Sequence, residues 1–114
     1  MVHHIRLREP WLLSSTSGNM RFCRHFNCPS GLDERTTVDL VVDSHAEATV
    51  VYLNGTRLGE AGKSAEPARF AVDLLLKSHN EIWVDILSSG PSDQDSVGLP
   101  FEVHLELGEK KGHE

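Results

Sequence analysis

The sequence predicts an all-β fold, an antiparallel sandwich or barrel of about eight short strands. Apolar residues alternate with polar ones along most of the chain, which is the period of a strand with one buried face. Turn-forming residues interrupt these runs at near-regular spacing. The length of 114 residues is sufficient for one domain with a stable core.

The first part of the chain contains alternating runs separated by turn residues. Ile5 and Leu7 define the first predicted strand, which ends at Pro10. The following elements are a short apolar anchor at 11–13 that begins with Trp11, a polar loop at 14–19, a strand at 20–27 broken by Pro29-Ser-Gly31, and a strand at 37–43.

The strongest local signal in the sequence is the dipeptide Asn54-Gly55. It lies between a β-branched and aromatic run at 48–53 and a short return strand at 56–59. A type I′ turn needs a positive φ at both central residues, and Asn-Gly is the preferred pair for it. The sequence therefore predicts a tight hairpin here.

The second part of the chain continues the pattern with one ambiguous segment. Phe70 and Val72 predict a short strand, followed by one helical turn at 73–77; a three-turn helix over 68–78 is the competing prediction. The remaining elements are a loose stretch at 60–67, a strand at 82–87, an acidic loop at 90–96 and a last strand at 101–107. We expect one domain over 1–107 and a charged tail over 108–114.

Composition excludes several classes of function. The formal net charge of −6 argues against binding along a nucleic-acid backbone, which requires clustered cations. No apolar run approaches the roughly 20 residues of a membrane-spanning helix. The first residues do not read as a signal peptide, so we expect a cytoplasmic protein or a fragment of a longer one.

Four motifs in order resemble a known family. They are Phe22-x-Arg24-x-Phe26-x-Cys28-Pro29, Val51-Tyr-Leu-Asn-Gly55-x-x-Leu58-Gly59, Phe70-x-Val72-Asp-x-Leu-Leu76 and Asn80-x-Ile82-x-Val84-x-Ile86. Together they resemble the galactose-binding-like β-sandwich, especially the sugar-binding domain of glycoside hydrolase family 2 enzymes. The resemblance runs over residues 20–107 and implies a jelly-roll fold of two packed sheets.

The resemblance also implies what the chain does. In that family the catalytic carboxylates lie on a separate barrel domain, so we expect no catalytic residue and no enzymatic activity here. The expected function is a non-catalytic carbohydrate-binding or accessory module. The alternative is a structural or protein-interaction module without sugar binding, which self-associates or docks on a partner domain.

The candidate ligand or interface residues are Trp83, Asp85, His104 and Glu106. Trp83 and Asp85 are out of phase with the apolar positions of their strand, and His104 and Glu106 are likewise out of phase in the last strand. An outward Trp near a His and acids can form a sugar-stacking platform, an interface to another domain or subunit, or a second small core under a loop.

The cysteines and acidic loops offer weaker candidates for chemistry. Cys23 and Cys28 are too far apart on an extended strand to form a disulfide, and we expect two reduced thiols that behave as small apolar residues. No cofactor is expected. Asp93 and Asp95 are weak candidate ligands for a structural calcium ion, which galactose-binding-like domains sometimes hold.

Overall fold

The computed structural model describes residues 3–8, 10–16, 19–44, 48–62, 66–87 and 101–109. Within these ranges the chain forms nine strands and no helix, where the sequence predicts about eight strands. In chain order they are β1 (His3–Arg6), β2 (Leu12–Thr16), β3 (Asn19–Asn27), β4 (Thr36–Ser44), β5 (Thr49–Leu53), β6 (Thr56–Ala61), β7 (Ala68–Ala71), β8 (His79–Leu87) and β9 (Phe101–Glu109). None of the described segments is a helix long and apolar enough to cross a membrane.

The strands form two antiparallel sheets. A four-stranded sheet has the order β1-β9-β4-β7, and a five-stranded sheet has the order β2-β3-β8-β5-β6. Strand β9 continues to Glu109, two residues into the predicted tail, and residues 110–114 lie outside the described part of the chain. The predicted acidic loop at 90–96 also lies outside it.

One hydrophobic core joins the two sheets. Ile82 and Val84 contribute to it from the five-stranded sheet, and Leu40 comes from the four-stranded sheet. Phe22 of β3 packs edge-on against Phe101 of β9, with ring centres 5.1 Å apart. Full burial of such a side chain contributes roughly 2–3 kcal/mol. The arrangement is consistent with a β-sandwich.

The Asn-Gly hairpin is confirmed. Asn54 and Gly55 have φ values of 52° and 85°, and they connect β5 to β6. The register shifts between Val51 and Tyr52, and Gly59 of β6 has a φ of 155°. A Cβ atom on Gly59 would lie 2.9 Å from Cε1 of Phe70, so this position accepts only glycine without displacing that ring, which belongs to β7 of the other sheet.

The prediction for residues 12–16 and for Asn19 was wrong, and residues 17–18 lie outside the described part of the chain. Residues 12–16 form β2, which pairs antiparallel with β3, and Leu12 and Leu13 are 66% and 56% exposed instead of anchoring the chain. Because β2 is the edge strand of its sheet, backbone pairing with β3 holds it although its leucines are exposed. Trp11 does pack against the core: its ring lies edge-on 5.0 Å from that of Phe101.

The ambiguous segment at 68–78 is a strand followed by a turn. Residues 68–71 form β7, which pairs with β4, and the Val72 amide continues the pairing by donating to Val38. The three-turn helix is therefore excluded, because the backbone groups that it needs bind the neighbouring strand. In place of the expected helical turn at 73–77, Leu75 closes a single turn by donating to the carbonyl of Val72.

Candidate functional site

The four candidate residues from the sequence lie on two different surfaces. Trp83 and Asp85 alternate along β8 with core residues and project from the outer face of the five-stranded sheet. His104 and Glu106 alternate with core residues along β9 and project from the outer face of the four-stranded sheet. Because the core lies between the sheets, the two pairs are on opposite sides of the molecule and cannot form one site.

Arg21, Tyr52, Trp83 and Asp85 form the first surface, which we term the Trp83 face. The guanidinium carbon of Arg21 lies 4.3 Å from the centre of the Trp83 ring, within the range of a cation–π contact. Tyr52 flanks the same ring on the other neighbouring strand, at 5.8 Å between centres and a tilt of 57°. Trp83 is therefore half-buried between side chains of β3 and β5.

An ion pair between Arg21 and Asp85 holds these side chains in place. Nε and Nη2 of Arg21 donate to the two carboxylate oxygens of Asp85 at 2.8 and 2.9 Å. The Asp85 side chain is only 9% exposed, and a carboxylate so far from water needs such a partner. The hydrogen bond to Asp85 raises the pKa of Arg21 above its ordinary value. Among the described residues, the group that covers the face of the Trp83 ring is thus a side chain of the adjacent strand.

Cys23, His25 and Glu81 form a neighbouring group, which we term the Cys23 cluster. The Cys23 thiol donates to Oε2 of Glu81 at 2.9 Å, and Nε2 of His25 lies 3.4 Å from the same oxygen. Burial, followed by the hydrogen bond to Glu81, raises the pKa of Cys23 to about 11. Hydrogen bonds from Cys23 and then Trp83 lower the pKa of Glu81.

These contacts correct the expectation that Cys23 behaves as a small apolar residue. Its thiol is a hydrogen-bond donor to a carboxylate, whereas Cys28 is a second free thiol just beyond β3. The raised pKa keeps Cys23 protonated at neutral pH, which makes it a poor nucleophile. Glu81 is 58 residues away from Cys23, and only the register of β3 with β8 brings the two together.

On the opposite side, Glu106 joins side chains from four strands, and we term this group the Glu106 network. Arg69 donates two hydrogen bonds to Glu106 at 2.6 and 3.0 Å, and Nε2 of His104 lies 3.0 Å from Oε2. His4 stacks on His104 with ring centres 5.1 Å apart, and Asp39 lies 3.7 Å from Arg69. The bonds from Arg69 and His104 lower the pKa of Glu106 to about 2.

The surface has shallow clefts beside these groups. One cleft of about 180 Å³ lies between β9 and the end of β1 with the residues that follow it, and His104 is among its lining residues. A second, of about 270 Å³, borders the Cys23 cluster and is lined by Pro10, Leu12, Cys23, Arg24 and His25. A third, of about 410 Å³, lies at the other end of β9. Trp83 lines none of these three clefts.

The structure also brings together potential metal ligands that sequence spacing did not indicate. Ligand atoms of Cys23, His25 and Glu81 all lie within 4.8 Å of one another, and those of His4, His104 and Glu106 do the same. Each set joins two strands that are distant in sequence, so no local motif marks it. The calcium candidates Asp93 and Asp95 lie outside the described residues.

Comparison with known proteins gives a fold relationship. No protein-family model matches the chain, and no curated protein matches it. An FMN-binding β-glucuronidase from F. prausnitzii L2-6 superposes with a TM-score of 0.71 at 18% identity over 94% of this chain. A Bifidobacterium dentium β-glucuronidase gives 0.71 at 16% identity over 93%, and a Bacteroides fragilis protein described as a putative β-galactosidase gives 0.60 at 22% over 84%.

The matched part is a small fraction of each of these proteins. The chain spans 22% and 30% of the two β-glucuronidase chains and 16% of the β-galactosidase-like chain. At these identities the similarity establishes a shared fold with part of glycoside hydrolase chains.

Proposed function

We propose that this chain is a non-catalytic accessory module of the glycoside hydrolase type, with a galactose-binding-like jelly-roll sandwich. The observation that carries the proposal is the asymmetry of coverage. Two glycoside hydrolases match over 93% or more of this chain but over 30% or less of their own length. A unit of this size can be one domain of such an enzyme and leaves the catalytic chemistry to the rest.

Within this role we assign the Trp83 face to contact with another protein surface. Trp, Tyr and Arg are the residue types enriched at such contacts, and this face contains one of each. Arg21 and Asp85 neutralise each other, so a partner can cover them without burying an unpaired charge. The occupant is a further domain or a second copy of this chain.

The accessory role is tested by assaying the purified chain on chromogenic β-glucuronides and β-galactosides, the substrate classes in the names of the matched enzymes. We expect no turnover above that of heat-denatured protein. Hydrolysis that purifies with the chain and is lost in a Glu102→Gln or Glu106→Gln variant would overturn the proposal, because it would place a catalytic carboxylate in this chain.

The contact role of the Trp83 face is tested by sedimentation velocity over a range of concentrations. If the occupant is a second copy, Trp83→Ala weakens self-association. Leu74→Ala, which changes an exposed residue in the turn after β7, leaves self-association unchanged. A monomer at all concentrations removes the second copy as the occupant. The contact role itself is rejected if appending a catalytic barrel leaves Trp83 as accessible to acrylamide quenching as it is in the free chain.

A second candidate, carbohydrate binding, is favoured by the paired rings of Tyr52 and Trp83. Aromatic rings beside charged hydrogen-bonding groups are the usual elements of a sugar site. Arg21 occupies the ring face that a sugar would need, so binding requires that Arg21 move away. Calorimetric titration with glucuronic acid, galactose and their oligosaccharides decides the matter: saturable heat that Trp83→Ala abolishes supports this function, and its absence rejects it.

A further inference from the structure

The Cys23 cluster presents three different metal-binding groups to one point on the protein surface. The thiol of Cys23 lies 2.9 Å from Oε2 of Glu81, and Nε2 of His25 lies 3.4 Å from that oxygen. All three ligand atoms lie within 4.8 Å of one another. We propose that this cluster is a binding site for a thiophilic divalent cation, with Zn²⁺ as its first candidate.

The spacing of the ligand atoms suits a tetrahedral ion. With metal bonds of about 2.3 Å to sulfur and 2.0–2.2 Å to nitrogen and oxygen, two ligands on a tetrahedron lie about 3.4–3.6 Å apart. The separation of His25 from Glu81 already has this value at 3.4 Å. The Cys23–Glu81 separation must open from 2.9 Å, which a rotation of the partly buried Glu81 carboxylate provides.

The backbone holds the three residues in place. Cys23 and His25 are two positions apart on β3, so they project from the same face of the sheet. Glu81 is directly opposite His25 in the register of β3 with β8. Both strands are internal to the five-stranded sheet, which makes the site rigid at its base.

The set of donors selects the kind of ion. A thiolate with an imidazole and one carboxylate favours Zn²⁺ and similar ions over Mg²⁺ or Ca²⁺, which prefer oxygen ligands. Binding forms a bond from sulfur to the ion, and the thiol proton passes to the solvent. Arg21 is a positive charge that acts on the Cys23 thiol, but its two hydrogen bonds to Asp85 offset it.

The Glu106 network offers a similar set of atoms but a poorer site. Both oxygens of Glu106 already accept hydrogen bonds from Arg69, so an ion must break a bidentate pair. No such cation is paired with Glu81 in the described structure, where its partners are the thiol, His25 and Trp83. The site also opens onto the 270 Å³ cleft, which leaves room for a water as the fourth ligand.

The test is a titration of the full chain, kept reduced, with Co²⁺ followed by Zn²⁺. We expect one equivalent of Co²⁺ to bind with a sulfur-to-cobalt charge-transfer absorption, and one equivalent of Zn²⁺ to displace it. Cys23→Ser removes the charge-transfer band, and His25→Ala and Glu81→Gln each weaken Zn²⁺ binding by about 10-fold or more. Circular dichroism establishes that each variant is folded.

Matched controls are available for two of the ligands. Cys28→Ser removes the other thiol and His79→Ala removes another exposed histidine of the same strand pair, and neither changes the titration. The proposal is overturned if Cys28→Ser abolishes the band, if Cys23→Ser binds Zn²⁺ as tightly as the unmodified chain, or if no saturable Co²⁺ or Zn²⁺ binding occurs. Should Cys23→Ser fail to fold, Glu81→Gln carries the same decision.

Discussion

The guanidinium group of Arg21 covers one face of the Trp83 ring, 4.3 Å from its centre, while holding the buried carboxylate of Asp85. One side chain of β3 thereby fixes an aromatic ring and an acid that both belong to β8. Trp83, the largest aromatic side chain on this sheet, is therefore packed against its neighbours at the surface. A partner that binds this face contacts the edge of the indole ring and the guanidinium group together.

We predict that Arg21→Ala destabilises the protein and exposes the Trp83 ring to solvent. The substitution leaves Asp85, which is 9% exposed, without its two charged hydrogen bonds, at a cost of about 2 kcal/mol in the free energy of unfolding. The tryptophan emission should shift to longer wavelength as water reaches the ring. Urea denaturation and emission spectra measure the two effects.

Arg57→Ala is the matched control for this change. Arg57 also pairs with a carboxylate, that of Glu60 at 3.0 Å, but both side chains are more than half exposed. Solvent screens such a pair, so its loss should change the free energy of unfolding by less than about 0.5 kcal/mol. Equal losses for the two variants would mean that the burial of Asp85 has no energetic consequence.

We predict a pH dependence of stability centred on Glu106. Its pKa is about 2 in the folded chain against an ordinary 4.5, so folding favours the ionised form. This contribution is fully present above pH 4.5 and is lost as the pH falls through about 2. The charged and titratable groups that face Glu106 are Arg69, His104, His4 and Asp39.

Other carboxylates titrate in the same range, so the measurement compares the chain with its Glu106→Gln variant. The difference in free energy of unfolding between the two should be largest near neutral pH and should shrink from pH 4.5 towards 2. Introducing Arg69→Ala into both chains should flatten the curve, because Arg69 is the main cause of the shift. A difference that does not vary with pH would contradict the assignment.

The fold could be predicted from the sequence wherever the order of side chains reflects their burial or the turn they form. The alternation through 82–86 marks the buried face of β8, and Asn54-Gly55 marks a turn that few other pairs can form. The segment at 12–16 was not predicted as a strand because β2 is an edge strand held by backbone pairing. Its exposed leucines and its serines therefore carry no periodic signal.

The sites were harder to predict from the sequence because they depend on the register between strands that are distant in the chain. Trp83 was identified as outward, but nothing local indicates that Arg21 lies over its ring. His104 and Glu106 were identified together correctly on one face, whereas their separation from Trp83 depends on which sheet each strand joins. Cys23 and Glu81 meet for the same reason: β3 pairs with β8, which lies more than fifty residues further along the chain.

We predict that Gly59→Ala costs more than Gly55→Ala although both glycines have a positive φ in the same hairpin region. A Cβ at position 55 meets nothing within 4 Å, so only backbone strain of about 1 kcal/mol applies. A Cβ at position 59 lies 2.9 Å from Phe70, and overpacking raises the cost to about 2 kcal/mol or more.

Urea denaturation of both variants measures these costs, and Phe70→Leu supplies the control for Gly59. In the Phe70→Leu background the added methyl has space, so the extra cost of Gly59→Ala should largely disappear. If the cost is unchanged there, strain at φ 155° and not contact with Phe70 determines it.

The buried Asn80 side chain connects the turn before β8 to the hairpin at Asn54 through hydrogen bonds. It is 2% exposed, accepts hydrogen bonds from Lys77 and Asn54, and donates to the carbonyl of Lys77. Asn80→Ala leaves its hydrogen-bond partners in Lys77 and Asn54 unpaired, and we predict a loss of about 3 kcal/mol in urea denaturation. The control, Asn27→Ala on the facing strand, removes an exposed amide and should cost less than about 0.5 kcal/mol.

The bond between Asn54 and Asn80 further predicts that their substitutions are not additive. Asn54→Gly preserves the positive φ of the turn and removes only the side chain, whose amide donates to Asn80 at 3.0 Å and to Leu75 at 3.2 Å. Because Asn80→Ala already eliminates the first of these bonds, the double variant should lose about 1 kcal/mol less than the sum of the single losses. Additive losses would mean that the hairpin and the turn before β8 are stabilised independently.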